Sequence, residues 1–431
     1  MPQREPSAAS PSSVKKSPVA KGLLRRFAAD KSGAYLIITA VAMPVVVGAA
    51  AYGTEEGLLL YKQKQMQHAA DSAATTAAVA VSAGANDNGT AQANGVAQSF
   101  GFTANVNSTT VAVNSPPTTG AYTSNRQAIE VQISQPQSRL FSMLWGSPTY
   151  SVAARAVALP QGQPCILALN KAVSNSYSQQ GSVGVQLINC SVVDDSTNPN
   201  ALSIGGSARL STSFVGVVGG IAGQSSITST NGIITGYHYV ADPYADVNFP
   251  SYSGCDKRNF STSGNVTISP GVYCGGMNLN SRATVTMQPG VYYLDSGSLS
   301  MSGQTSLSGT GVTLVFTSSS GSNYANANIT GGATINIVAP TTGTLAGIAL
   351  FGDRSMPTST NFNLTGGNTE AIGGAVYLPK ATVSWSGNAT AGQRCTQIIA
   401  DKIQMVGDSG LKVDCSGYGT RAISTPATLL E

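Results

Sequence analysis

The chain has 431 residues, only 10% of them charged, and a formal net charge of +4 at pH 7. Soluble domains usually carry about a quarter charged residues. Here Gly, Ser, Thr and Asn take their place, which suits a β-rich protein outside the cytoplasm whose turns need Gly and Asn. Seven Lys and Arg against Glu5 and Asp30 put residues 1–32 at +5 and leave the remainder at −1, so the basic character belongs to the leader. A nearly neutral remainder argues against nucleic acid as a partner.

Residues 1–32 are rich in Ser, Pro and Ala, with Arg4, Lys15, Lys16, Lys21, Arg25, Arg26 and Lys31 as their cations. They show no apolar period, and disorder is predicted. Residues 33–53 carry no charge. About 20 apolar residues make a helix of about 30 Å, enough to cross a bilayer, and Pro44 is tolerable inside it. Ala49, Ala50 and Ala51 would also serve as a signal-cleavage site. Both the leader and the apolar run exceed signal-peptide lengths, which favours a retained anchor. The cationic leader holds the N-terminus in the cytoplasm.

Residues 54–160 begin with one continuous helix over 55–83. Met66, Ala70, Ala73, Ala77 and Ala80 recur at spacings of three and four, marking one face. The small side chains of Ala70, Ala74 and Ala78 would let another helix approach closely. Met66, Ala70, Ala73, Ala74, Ala77 and Ala78 therefore form either a face for this protein's own next domain or a face for a partner's helix. A short helix follows over 92–102, then a strand over 110–113 and a loop at Pro116, Pro117 and Gly120. Residues 128–133 alternate like a half-buried strand. Residues 138–145 suit an amphipathic helix capped by Ser138, and 150–159 form a last strand, completing a small α+β unit.

These residues carry a resemblance. Arg26, Phe27 and Gly33 before the apolar run, the stretch from Lys64 to Ala74 (KQMQHAADSAA) and the run from Val152 to Ala158 resemble the N-terminal region of TadG-like proteins. These are the TadE/TadG-like components of the bacterial Flp, or tight-adherence, pilus system. The likeness covers about a third of the chain. It implies a pilin-like α+β unit, a bacterial inner-membrane location with the C-terminal part periplasmic or extracellular, and other pilus-assembly or pilin proteins as partners. Prepilins cut by the prepilin peptidase have a Glu five residues after the cleavage Gly. Here Ile38 stands five after Gly33, so an uncleaved anchor is expected. Many TadG-like chains end in a von Willebrand A domain. Its metal motif has no counterpart here, since Asp295-Ser296-Gly297-Ser298-Leu299 puts Gly and Leu where Ser is needed.

Residues 161–431 differ in character. Pro270-Gly271-Val272-Tyr273 recurs as Pro289-Gly290-Val291-Tyr292, and short apolar runs follow at 312–316, 335–338, 347–351, 374–378 and 397–400. Each ends in Gly, Ser or Asn, with no helical period between. Self-similarity near 20–25 residues with strands alone favours a parallel β-helix in which each coil stacks on the previous one, and a β-sandwich is the second choice. All six cysteines, Cys165, Cys190, Cys255, Cys274, Cys395 and Cys415, lie in this part and read as disulfides of an oxidising compartment. Sequential pairing places partners on adjacent coils about 4.8 Å apart, within disulfide reach.

Chemistry is sparse. Neither His68 nor His238 belongs to a recognisable nucleophile arrangement, and no G-x-S-x-G elbow is present. No cysteine pair has zinc spacing, so neither metal nor cofactor is expected. The acid- and aromatic-rich stretch 241–246 offers Asp242, Tyr244 and Asp246 as a carbohydrate edge with Phe249 as a second platform, or else as a loop that caps or crosses the β-stack. Asp256, Lys257 and Arg258 are the remaining groove candidates, and Asp353-Arg354 reads as a local ion pair. The expected protein is a non-enzymatic, membrane-anchored component of pilus assembly with an exported β-rich interaction domain. The alternative is a surface adhesin or polysaccharide-active β-helix tethered by the same helix, with surface carbohydrate as partner.

Overall fold

A computed structural model describes residues 31–82, 85, 87–125, 128–141, 149–160, 164–188, 190–358, 360–365, 371–386, 395–407, 409–412, 417–423, 425 and 427–431. The leader up to residue 30, Cys415 and most of the helix expected over 138–145 lie outside these residues. The structure is one long apolar helix followed by a mostly β part built from parallel sheets.

The helix α1 (Lys31–Ser82) runs 52 residues without interruption, with Pro44 inside it. It is long and apolar enough to cross a membrane. It belongs to one compact unit as far as Gln65, together with residues 134–153, and to a second from Met66, with residues up to 133 and from 154 to the end. In the first unit its apolar side chains face outward: Ile37, Val41, Val45 and Val46 are each about two-thirds exposed. Glu55, two residues past the uncharged run, is buried and accepts the Phe141 N–H at 3.0 Å.

The second unit opens with the other half of α1. Met66, Ala69, Ala70, Ala73, Ala74, Ala77 and Ala78 are all fully buried. The short helix α2 (Thr90–Ser99) buries Ala93 and Ala97. Gly89 enters it with φ 71°, and a Cβ there would lie 2.5 Å from the Ala77 carbonyl oxygen. Only a glycine allows the chain to turn that close to the alanine face. The strands β1 (Thr110–Asn114), β2 (Ile129–Ser138) and β3 (Thr149–Leu159) form a sheet completed at its edge by residues 428–429, antiparallel to β3. The small-residue face is thus filled by the protein's own unit, and the six residues offered to a partner helix are not available to one. Ser138 ends strand β2 and does not cap a helix.

The β part is dominated by one parallel ladder. Its strands in chain order are β4 (Pro164–Ala168), β5 (Ser191–Asp194), β6 (Phe214–Val217), β7 (Ile233–Thr235), β8 (Lys257–Thr262), β9 (Gly271–Leu279), β10 (Gly290–Met301), β11 (Val312–Thr317), β12 (Ile348–Gly352), β13 (Ala371–Trp385) and β14 (Thr396–Met405). Their spatial order is β7-β6-β5-β4-β14-β13-β12-β11-β10-β9-β8, every neighbour parallel. The chain therefore enters in mid-ladder, builds outward to β7, crosses to the far end at β8 and builds back until β14 pairs with β4 (Ile398↔Ile166, Ala400↔Ala168). Stacking in simple chain order, as the sequence suggests, is broken twice: β7 and β8 are not neighbours, and β14 and β4 are.

Alternation along each strand explains the apolar runs. Ile166, Val192, Leu314, Leu350, Val376 and Ile398 point into the main core. Their neighbours Leu167, Val193, Val315, Phe351, Tyr377 and Ile399 point the other way, into a second apolar cluster. A strand buried on both faces reads as a continuous run. Further along the same chain turns, residues 284–287, 306–310 and 334–338 alternate buried with exposed or half-exposed positions. The Pro-Gly-Val-Tyr repeat is 19 residues long, yet the ladder pairs Tyr273 with Leu294, a step of 21. Gly271 and Gly290 share a positive φ (150° and 143°) at the same kind of corner.

The Cys165–Cys190 and Cys255–Cys274 disulfides join adjacent rungs, with Cα separations of 5.5 and 5.9 Å. Cys395 is also disulfide-bonded.

Candidate functional site: the segment that crosses the ladder

Strands β7 and β8 are consecutive in the chain but stand at opposite ends of the ladder. Ten rung spacings of about 4.8 Å separate them, about 48 Å. Residues 236–256 cover this distance without strand structure of their own. They lie along the outward face of the ladder and supply the second apolar cluster with Tyr237, Val240, Tyr244 and Val247.

Each aromatic side chain meets the rung it passes. The Tyr237 ring is 5.5 Å from Phe214 of β6, Tyr244 is 5.4 Å from Tyr377 of β13, Phe249 is 5.5 Å from Phe351 of β12, and Tyr252 stacks at 4.7 Å on Tyr293 of β10. The Val240 N–H donates to Asp195 at 2.9 Å, and the Tyr293 hydroxyl donates to the Pro250 carbonyl at 3.1 Å. Burial pushes the Asp195 carboxyl up to about 6, with its neighbour Asp194 adding to the rise. Asp194 itself is pushed up to about 6 by burial, against hydrogen bonds from Ser176, Ser196 and Tyr177.

The centre of the crossing is the stretch singled out in the sequence. Tyr244 is fully buried. Its hydroxyl donates to Gln397 Oε1 at 3.3 Å and accepts the Arg421 N–H at 2.9 Å. Asp242 accepts the Tyr377 hydroxyl at 2.8 Å and the Tyr244 N–H at 2.9 Å. Asp246 is exposed and pairs with Arg421, whose guanidinium also lies over the Tyr244 ring. Arg354 binds the strap from below: it donates to the Tyr377 hydroxyl at 2.9 Å, to the Val247 carbonyl at 2.7 Å and to the Tyr244 carbonyl. Its guanidinium stands over the Phe351 and Tyr377 rings. Burial pushes the Tyr244 phenol up to about 12 and the Tyr377 phenol further, so both stay neutral hydrogen-bonding groups.

This geometry corrects the carbohydrate-edge expectation. A buried Tyr244 ring presents no face to a sugar, and Phe249 spends its faces on Phe351 and Tyr293. Asp256, Lys257 and Arg258 lie at the β8 end, about five rungs or 24 Å from the level of Tyr377. The two parts of the expected groove are not brought together. Asp353 and Arg354 are not an ion pair either: Asp353 accepts from Thr317 at 2.6 Å and the Ser355 N–H at 2.8 Å, while Arg354 reaches the strap. Sequence reasoning gave Arg354 the wrong partner and missed Tyr377, Gln397 and Arg421. The one available signal was a lone cation directly after an apolar strand in a domain with few charges. No group of His, Cys, Asp or Glu among the described residues is arranged to hold a metal ion.

Family models, curated proteins and solved structures give no match to this chain.

Proposed function

We propose that this protein is a membrane-anchored, non-enzymatic component of a bacterial pilus-assembly system of the tight-adherence type, with an exported β-rich domain for interaction. The observation that carries the reading is the character of α1. One unbroken helix is uncharged and outward-facing over residues 37–53 and buried along its alanine face from Met66. That is the profile of a helix that leaves lipid and becomes part of its own folded domain. The likeness of residues 25–160 to TadG-like proteins supplies the system, and on this reading the α+β unit is the pilin-like element. The N-terminus is cytoplasmic and the remainder lies beyond the inner membrane.

On the same reading the β part is a parallel β-helix whose outward face is strapped by residues 236–256. The all-parallel ladder and the enclosed main core support this. A strapped coil stack is a rigid body suited to a scaffolding or minor-pilin-like role. The test is deletion in the host followed by counting pili and fractionating the complemented strain. Loss of pili, with the protein in the inner-membrane fraction, is the expected result. A normal pilus number, or release of the protein into the soluble fraction, would overturn the proposal.

A further inference from the structure

We infer that residues 139–141 and 150, at the facing ends of β2 and β3, dock on the surface of the phospholipid bilayer that α1 crosses, as a second contact beside the helix. The inference rests on the anchor reading of α1.

Residues 139–141 and 150 and α1 up to Gln65 all belong to the first compact unit. The uncharged run ends at Gly53, and the Phe141 N–H is held by Glu55, so this segment stands within about one helical turn of the end of the span. Burying an acid at that level is costly unless it is hydrogen-bonded. Glu55 spends its carboxylate on the Phe141 backbone, which fixes this segment beside the helix rather than leaving it free. With that contact made, Leu140 and Phe141 still turn outward, 58% and 45% exposed, as does Tyr150 at 48%. Tyr52 and Tyr61 of α1 are exposed on the same unit. Outward Leu and Phe beside a polar chain, with Tyr52 less than one turn from Glu55, match the amphipathic belt at a membrane–water interface.

Arg139 adds a second, independent observation. Its guanidinium lies over the Tyr150 ring at 5.6 Å, while its Nε is buried with no hydrogen-bond partner. A guanidinium is a good donor to phosphate; the sealed Nε cannot reach a lipid headgroup, so only the outer end of the group would meet one. Apolar side chains beside a cation, continuous with an uncharged membrane-length helix, fit a phospholipid surface better than the mostly apolar core of a protein interface. An interfacial segment of this kind would restrain the tilt of α1 and set the orientation of the first unit on the membrane.

The test uses the full chain reconstituted in phosphatidylglycerol/phosphatidylethanolamine vesicles. Leu140→Cys, Tyr150→Cys, Val45→Cys and Ser174→Cys are made singly and spin-labelled. Cys165, Cys190, Cys255, Cys274 and Cys395 are in disulfides and do not compete for label. Collision rates with oxygen and with a water-soluble nickel complex are then compared. The inference expects labels at 140 and 150 to shift from the aqueous behaviour of position 174 toward the oxygen-rich behaviour of position 45. Labels at 140 and 150 that behave like 174 while 45 reports lipid would overturn the inference and leave the anchor standing. Shielding of 140 and 150 from both reagents would assign the surface to a protein and overturn it as well. An aqueous label at 45 would overturn the anchor reading itself, and the inference with it.

Discussion

Replacing Arg354 with Ala tests whether the crossing segment is held by specific contacts or merely lies on the ladder. The wild-type side chain donates to the Tyr244 and Val247 carbonyls and to the Tyr377 hydroxyl, and it covers two aromatic rings. A buried carbonyl left without its donor costs about 1–3 kcal/mol, and each ring contact is worth about 0.5–1 kcal/mol at a partly exposed site. Arg354 is half-exposed, so water reaches part of what is freed. Only the two carbonyls belong to the strap, since Phe351 and Tyr377 stand with Arg354 on the ladder whether the strap is open or closed, so the low end gives about 2 kcal/mol for strap opening. Residues 236–256 take no part in the ladder, so the loss falls on opening of the strap rather than on global unfolding. About 2 kcal/mol raises the open population about thirtyfold. Hydrogen exchange at the Val240 and Val247 amides reads this, since Val240 donates to Asp195 outside the crossing and Val247 to the Tyr244 carbonyl that Arg354 also binds. Arg354→Lys is expected to recover only part of the protection, because an ammonium cannot serve three acceptors in the planar geometry of a guanidinium. Unchanged exchange at both amides in Arg354→Ala would refute the claim that Arg354 pins the segment.

Three further outcomes are expected. Ser178 and Gln404 are paired in register where the chain closes on itself, so Ser178→Cys with Gln404→Cys should form a disulfide in non-reducing peptide maps; failure, while the same-ladder pair Ser384→Cys with Gln404→Cys does form one, would exclude the closure. Glu130 is pushed up by burial but drawn further down by hydrogen bonds from Thr118, Arg155 and Asn114, to about 2. A depressed carboxyl stabilises the fold above its unfolded value and loses that contribution as pH falls through the folded one. The α+β unit should therefore lose about 3 kcal/mol between about pH 4.5 and pH 2, and Glu130→Gln should flatten that part of the stability-versus-pH curve; an equally steep Gln variant would count against the assignment. Removing the Cys255–Cys274 bridge, which closes a span of 19 residues, should cost about 3 kcal/mol and expose residues 250–256 to protease, and an unchanged melting temperature and digestion pattern would contradict this.

The sequence by itself determined the parts. The uncharged run over 33–53, the alanine face from Met66 and the strands of the α+β unit are local patterns, and local periodicity reports local structure. The short apolar runs of the β part and the spacings of Cys165–Cys190 and Cys255–Cys274 were legible for the same reason, since neighbouring rungs share one turn of chain. Even the continuous apolarity of VTLVF at 312–316 carried information, because a strand stays apolar on both faces only when both are covered.

What covers the second face, and in what order the rungs stack, only the tertiary structure decided. Every parallel strand presents the same row of N–H and C=O groups to its neighbour, so nothing in β14 or β4 alone says that they pair across more than two hundred residues. That choice is made jointly by the shape of the core and by the crossing segment, which must reach from β7 to β8. The same necessity explains why Asp242 and Tyr244 read as a surface edge, although Tyr244 is interior and Asp242 is half-buried against Tyr377. Their partners Tyr377, Gln397 and Arg354 lie more than a hundred residues away in the chain, and only the fold brings them beneath the strap.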